Sequence, residues 1–196
     1  VFWKEGEKMA HYLPGSTIEA ETLSAESTNR LISPMFLSGG LMLSQVAALT
    51  GLESYTIQNW VKRGFLPPPE NKRYSIRQFA RILLINMLKD SFPLDTVCSL
   101  LSYINGHLDD ESDDIIDDMA LYLSAADAVG RMLSQNTLGF ETLDAACAHA
   151  IEGYEEPFPG ARERVRKVLE IMVTAYIASK LKQQAQKMYD ELLQQD

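Results

Sequence analysis

The chain has 196 residues, enough for one or two small domains with a buried core, and although 46% of them are apolar no uninterrupted run approaches a membrane span. Its two cysteines, Cys98 and Cys147, lie far apart and form no disulfide framework; without a basic-then-apolar leader, they point to a reducing cytoplasm. The formal net charge of −9 speaks against nucleic acid for the chain as a whole, yet residues 41–90 hold seven basic side chains against three acidic ones, a local +4 between flanks of −2 and −11. Phosphate binding depends on a local patch and not on the total, because counterion release counts the phosphates contacted.

The first residue is not Met, which points to a trimmed start. Residues 1–40 read as a helical extension: a short helix over about 3–12, a break at Pro14-Gly15, and a weaker helix from Thr17. Ser38-Gly39-Gly40 reads as a linker. From Leu43 the apolar pattern is helical, Pro67-Pro68-Pro69 interrupts it, and it resumes at Ser75 to end near Asp90. Pro93 suits the first turn of the next helix, which Asn105-Gly106 closes.

The second half is expected to be entirely helical. Ile115, Met119, Tyr122, Ala126, Val129 and Leu133 make one apolar stripe on a helix of about six turns. After Gly139, Leu143, Cys147 and Ile151 repeat the spacing; residues 154–160 form a loop, and a long helix spans 161–193, buried around 169–177. Only residues 66–75 invite strands.

The segment 43–64 carries the argument. Two helices that touch closely need a small residue at the contact, a residue tolerant of positive φ in the turn, and an apolar residue holding the second helix down; Ala47, Gly51 and Ile57 meet these needs. Val46, Leu49, Leu52 and Trp60 extend the apolar side, and Ser44 can cap the first helix. In the second helix, 54–63, Ile57, Trp60, Val61 and Gly64 share the inward face, leaving Tyr55, Asn59, Lys62 and Arg63 outward with Thr56 and Gln58 beside them. Amides suit base edges and cations suit phosphates. The following prolines stiffen a small hairpin in which Asn71 makes the turn and Lys72-Arg73 lie on the returning strand.

Three linked stretches, Leu43-Ser44-Gln45-Val46-Ala47 to Thr50-Gly51, Thr56-Ile57-Gln58-Asn59-Trp60 to Gly64-Phe65-Leu66-Pro67-Pro68, and Arg73-Tyr74-Ser75, resemble the MerR DNA-binding domain over about 60 of the 196 residues. Ile76, Phe79, Leu83 and Met87, then Phe92-Pro93-Leu94, follow in the same order. Within that superfamily the chain is similar to an uncharacterised bacterial family described only as a domain of unknown function with a MerR-like helix-turn-helix. The resemblance implies base contacts at Gln58 and Asn59, a basic position at Lys62 and a phosphate contact at Arg73. The chain departs from the pattern in Gln58, where arginine is usual, in a shorter wing, and in lacking a long coiled coil directly after the DNA-binding domain.

The expected architecture is therefore all-α with a small β-wing, a MerR-like winged helix-turn-helix over 41–106 followed by an α-helical bundle over 107–196 that dimerises. The expected function is regulation of transcription by a homodimer on double-stranded DNA, with Tyr55, Thr56, Gln58, Asn59, Lys62, Arg63, Lys72 and Arg73 as the contact set. The alternative is an adaptor that uses the same fold to bind a protein. The acidic run 109–118 lacks the Gly and Glu that a calcium loop needs at its sixth and twelfth positions, where Asp114 and Ala120 stand; carboxylates facing a helix dipole explain it more simply. Cys98, Cys147 and His149 have no metal-ligand spacing, and no nucleophile elbow, phosphate loop or dinucleotide fingerprint is present, so no metal, cofactor or enzyme activity is expected. Nothing specifies a small-molecule effector, although Met172, Tyr176 and Ile177 beside Met188 and Tyr189 could line a pocket.

Overall fold

A computed structural model describes residues 11–106, 108, 114–135 and 139–194. Among these it is mostly helical, with two small antiparallel sheets. The expected helix over 3–12 lies for the most part outside the described residues, and its end is not helical. His11–Tyr12 (β1) pairs with Glu19–Ala20 (β2), so the expected helix from Thr17 gives way to a hairpin turning at Pro14-Gly15. That turn is held from both sides. The Thr17 amide donates to the Leu49 carbonyl at 2.9 Å, Asn86 Nδ2 donates to the Gly15 carbonyl at 2.7 Å, and the Tyr122 hydroxyl donates to the Pro14 carbonyl at 2.8 Å. Only then does α1 (Ala25–Ile32) begin, capped by Ser24, whose hydroxyl accepts the Ser27 amide at 3.1 Å.

Next come β3 (Leu41–Met42), α2 (Leu43–Thr50), α3 (Ser54–Lys62), β4 (Arg73–Tyr74) and α4 (Ile76–Leu88). β3 and β4 pair antiparallel, Leu41 opposite Tyr74, which ties the chain entering α2 to the chain entering α4. Ser75 and Gln78 form a capping box at the start of α4, and Gln78 Nε2 reaches back to the Pro67 and Pro68 carbonyls at 3.3 and 2.9 Å. One glutamine thus starts a helix and fixes the proline segment before it.

The rest is α5 (Leu94–Asn105), α6 (Asp118–Ser134), α7 (Phe140–Ala150) and α8 (Ala161–Leu193). α6 differs from the expected single stripe. It is shorter than six turns and buried nearly all round: Leu121, Ala125 and Ala128 are as enclosed as Tyr122 and Val129, because α1, α4, α7 and α8 all pack on it. α7 buries Leu143 and Cys147 as their spacing predicts, and burial pushes the Cys147 thiol up to about 12, which keeps it protonated. The buried cluster runs without a break from Leu13 to Ile177, across both the 40/41 and the 106/107 boundaries. α4 is its shared wall, with ten buried residues, Gln78 to Ile85, Met87 and Leu88. Among the described residues no helix is long and apolar enough to cross a membrane.

α8 buries its first half, including Leu169, Met172, Val173, Tyr176 and Ile177; from Lys180 to Gln194 every residue is exposed. The pocket wall imagined from Met172 to Tyr189 therefore does not form. Met172, Tyr176 and Ile177 are core, while Met188 and Tyr189 are 60% and 56% exposed on the projecting end.

Candidate nucleic-acid interface

α2 and α3 meet at Gly51, which takes φ 68°, the left-handed region that glycine enters without steric cost. Val46 on α2 and Ile57 and Trp60 on α3 close the contact, all buried. α2 is not capped by Ser44. Its N-cap is Met42, whose amide donates to Gln45 Oε1 at 2.8 Å, so Gln45 is spent on the helix start. At the end of α3 the Phe65 amide donates to the Trp60 carbonyl and the Gly64 amide to the Val61 carbonyl, at 2.9 and 3.0 Å. This is a Schellman motif, with Gly64 the exposed residue past the helix end and not, as its spacing suggested, part of the inward face.

The hairpin before α4 turns at Glu70-Asn71-Lys72-Arg73. The Arg73 amide donates to the Glu70 carbonyl at 2.8 Å, and Asn71 and Lys72 have φ of 48° and 62°. Positive φ at both central positions is the requirement of a type I′ turn, the two-residue turn whose twist matches its strands. Lys72 is thus at the tip and not on the returning strand; Arg73 alone of the pair belongs to β4.

Of the eight residues expected at the interface, three, Gln58, Lys62 and Lys72, line one groove. Tyr55, Gln58, Asn59, Lys62, Arg63, Lys72 and Arg73 are exposed and Thr56 is half-buried. Gln58, Val61 and Lys62 of α3 line one side of an open groove of about 680 Å³, Met42, Leu43 and Ser44 another, and Pro69, Lys72 and Tyr74 the hairpin side. Two of the cations are engaged within the chain. Arg63 lies over the Phe65 ring at 4.4 Å and faces Asp95 at 3.5 Å, while Arg73 Nη1 donates to the Gly40 carbonyl at 2.8 Å. Lys62 of α3 and Lys72 of the hairpin both line the groove.

The +4 of residues 41–90 overstates the charge that faces solvent. Arg77 and Arg81, counted there, turn inward from α4. Arg81 is buried: its Nε donates to the Phe65 carbonyl at 3.1 Å and its Nη1 lies 3.4 Å from both oxygens of Asp118. Asp118 also accepts Asn105 Nδ2 at 3.1 Å, and Arg77 pairs with Asp114. Burial raises the Asp118 carboxyl above its ordinary value, with Arg81 and Arg77 opposing the shift. Of the acidic run, residues 109–113 lie outside the described residues. Asp117 does face the helix start, accepting the Met119 and Ala120 amides at 2.8 and 3.1 Å, whereas Asp114 and Asp118 serve the arginines. Half of this had a signal in the sequence, since Arg77 and Arg81 are spaced i, i+4 and share a face of α4, whereas Asp114 precedes α6 and no helical spacing places it beside Asp118.

Residues 39–124 match a family described as a domain of unknown function, DUF1836. The DUF1836 span starts just before β3 and runs into α6, so it takes in the α2–α3 face, the hairpin and the whole arginine–aspartate network. Uncharacterized protein YkrK of Bacillus subtilis (strain 168) is similar too, 27% identical over 161 residues that cover 77% of this chain and 69% of its own length. No solved structure matches.

Position 72 offers a way to separate charge from fold. Lys72 holds a left-handed φ that costs an L-residue about 1–2 kcal/mol, while glycine loses about 0.4–1 kcal/mol more chain entropy on folding. Lys72→Gly is expected to fold as stably as the parent, or more so by about 0.5 kcal/mol, in a urea titration. A loss above about 1 kcal/mol would show that the lysine side chain supports the hairpin.

Proposed function

We propose that the chain is a sequence-specific DNA-binding regulator with a MerR-like winged helix-turn-helix, working as a homodimer on duplex DNA. The observation that carries this reading is the placement of Gln58, Asn59 and Lys62 on the solvent face of α3, beside a type I′ hairpin whose tip presents Lys72. α3 enters the major groove, Gln58 and Asn59 read base edges, and Tyr55 and Thr56 pack at the groove wall. Lys62 and Lys72 hold phosphates, with Arg73 adding a contact from its anchored position. The reading gives the protein no catalytic step and no cofactor. An adaptor that docks a protein on the same face is the competing reading, favoured by the inward turn of Arg77 and Arg81.

The test is a pull-down of fragmented chromosomal DNA by the purified protein at two salt concentrations. A shared, palindromic site that survives the higher salt is the expected result; salt-sensitive background alone would move the reading to the adaptor. On that site Asn59→Ala is expected to lose about 1–3 kcal/mol against the preferred sequence and little against random DNA. Lys62→Ala and Lys72→Gly should weaken both alike. With about three phosphates held per protomer, the slope of log affinity against log salt should be near about −2.7 per protomer, and each lysine variant should flatten it by about one unit. Equal losses for all three variants on both kinds of DNA would remove the division of roles.

A further inference from the structure

The last turns of α6 break with the rest of that helix. Asp127, Gly130, Arg131 and Ser134 are spaced i, i+3, i+4, i+7 and so share one face, polar on a helix that is mostly apolar and enclosed. The link between β2 and α1 presses on this face so closely that a Cβ at Gly130 would overlap the Leu23 carbonyl oxygen. Beside that contact opens a cleft of about 330 Å³, lined by Glu21, Thr22 and Leu23 of the link and by Arg131, Leu133 and Ser134 of α6. Small-molecule sites start at about this size.

The cleft offers two charges of opposite sign. Asp127 is 7% exposed; its Oδ1 accepts the Ala25 amide at 3.3 Å and its Oδ2 accepts Arg131 Nε at 2.6 Å. That bond fixes the guanidinium and spends only Nε, leaving both Nη groups without a hydrogen-bond partner among the described residues. Glu21 is exposed, and no described cation pairs with it. A planar guanidinium fork matches a carboxylate through two parallel hydrogen bonds. Glu21 repels a simple anion and Arg131 a simple cation, whereas a molecule carrying both charges satisfies both. Leu23 and Leu133 suit an aliphatic remainder, and the Thr22 and Ser134 hydroxyls can accept from an ammonium.

We propose that this cleft binds a small aliphatic α-amino acid, its carboxylate on the Arg131 Nη groups, its ammonium on Glu21 and its side chain against Leu23 and Leu133. The site shares no residue with α3 or the hairpin and stands independently of DNA binding.

The test is calorimetric titration of the full chain with L-alanine, L-valine and L-leucine, and with isocaproate and isoamylamine, which are leucine without its amine and without its carboxylate. At least one of the amino acids is expected to bind with a Kd below about 1 mM, and the two leucine fragments at least about tenfold more weakly than L-leucine. Arg131→Gln should abolish binding, but it also strips Asp127 of its cation. Glu21→Gln, at an exposed position, therefore carries the decision: it should weaken the amino acid at least about tenfold and leave isocaproate no weaker. The backbone amide resonances of Gly130 and Ser134 should shift during the titration. No binding by any of the amino acids up to about 10 mM would overturn the proposal, as would binding that leaves those two amides unmoved. Isocaproate binding as tightly as L-leucine, or a Glu21→Gln variant that binds like the parent, would overturn the zwitterionic ligand.

Discussion

Arg81→Met is expected to destabilise the chain by about 3–5 kcal/mol, the usual result of stranding one partner of a buried ion pair. Arg81 is enclosed between the Phe65 carbonyl and Asp118, so its loss leaves a carboxylate, itself buried, with Asn105 and a distant Arg77 contact at 3.9 Å. Thermal denaturation would show it as a fall of roughly 6–20 °C in a chain of this size. The pH dependence has a defined sign. Burial already raises Asp118, so the folded state binds this proton more tightly than the unfolded chain, and the associated stability is lost as pH rises from the unfolded value through the folded one. Removing the arginine raises the folded value further. The deficit of Arg81→Met relative to the parent should therefore be smaller at mildly acidic pH than at neutral pH. The double variant Arg81→Met/Asp118→Leu should recover most of the loss, since deleting both partners leaves no stranded charge. A deficit that is the same at both pH values, with no rescue in the double variant, would mean that the arginine acts by packing alone.

Gly15→Ala is expected to cost about 3 kcal/mol. A Cβ at this position would lie 2.3 Å from the Leu83 carbonyl oxygen and 2.9 Å from the Met87 amide nitrogen, both backbone of α4, and the residue holds φ 72°. Neither helix backbone nor a left-handed alanine yields cheaply: overpacking adds about 1–3 kcal/mol and the dihedral about 1–2 kcal/mol. The N-terminal turn should lift from α4, breaking the bonds from Asn86 to Gly15 and from Thr17 to Ala48 and Leu49 that brace the end of α2. Hydrogen exchange would read this as lost protection in residues 13–18 and at the end of α2. Unchanged stability and protection would mean that the turn is not seated as described.

Much of the helical half was legible because its signals are long-range in sequence yet simple in kind. The loop at 154–160 and the apolar run at 169–177 bound α8 with no help from tertiary structure. The α2–α3 unit was legible for the same reason: Gly51, Ile57 and Trp60 each satisfy a local steric need. The β1–β2 hairpin was not, because two-residue strands carry no alternation, and its stability comes from Leu13 and Gly15 meeting elements far along the chain, Gly15 at Asn86 of α4. The direction in which Arg77 and Arg81 point was not legible either. A charge count treats every arginine as solvent-facing, whereas these two are claimed by carboxylates across an intervening helix. For the candidate interface the consequence is specific. Seven of the eight expected residues are exposed and Thr56 is half-buried, while Arg77 and Arg81, paired inward with carboxylates, add little to the field at that surface.

Because α4 is buried on nearly every side, the surface formed by α3 and the hairpin has no hinge behind it among the described residues. Joined in pairs, such bodies would act as a caliper without play. One base pair added between two half-sites turns the second by about 35° around the duplex, and no slack linker exists among the described residues to follow it. Tolerance for spacing would then be narrow. Discrimination among operators would come as much from the distance between half-sites as from the letters within them.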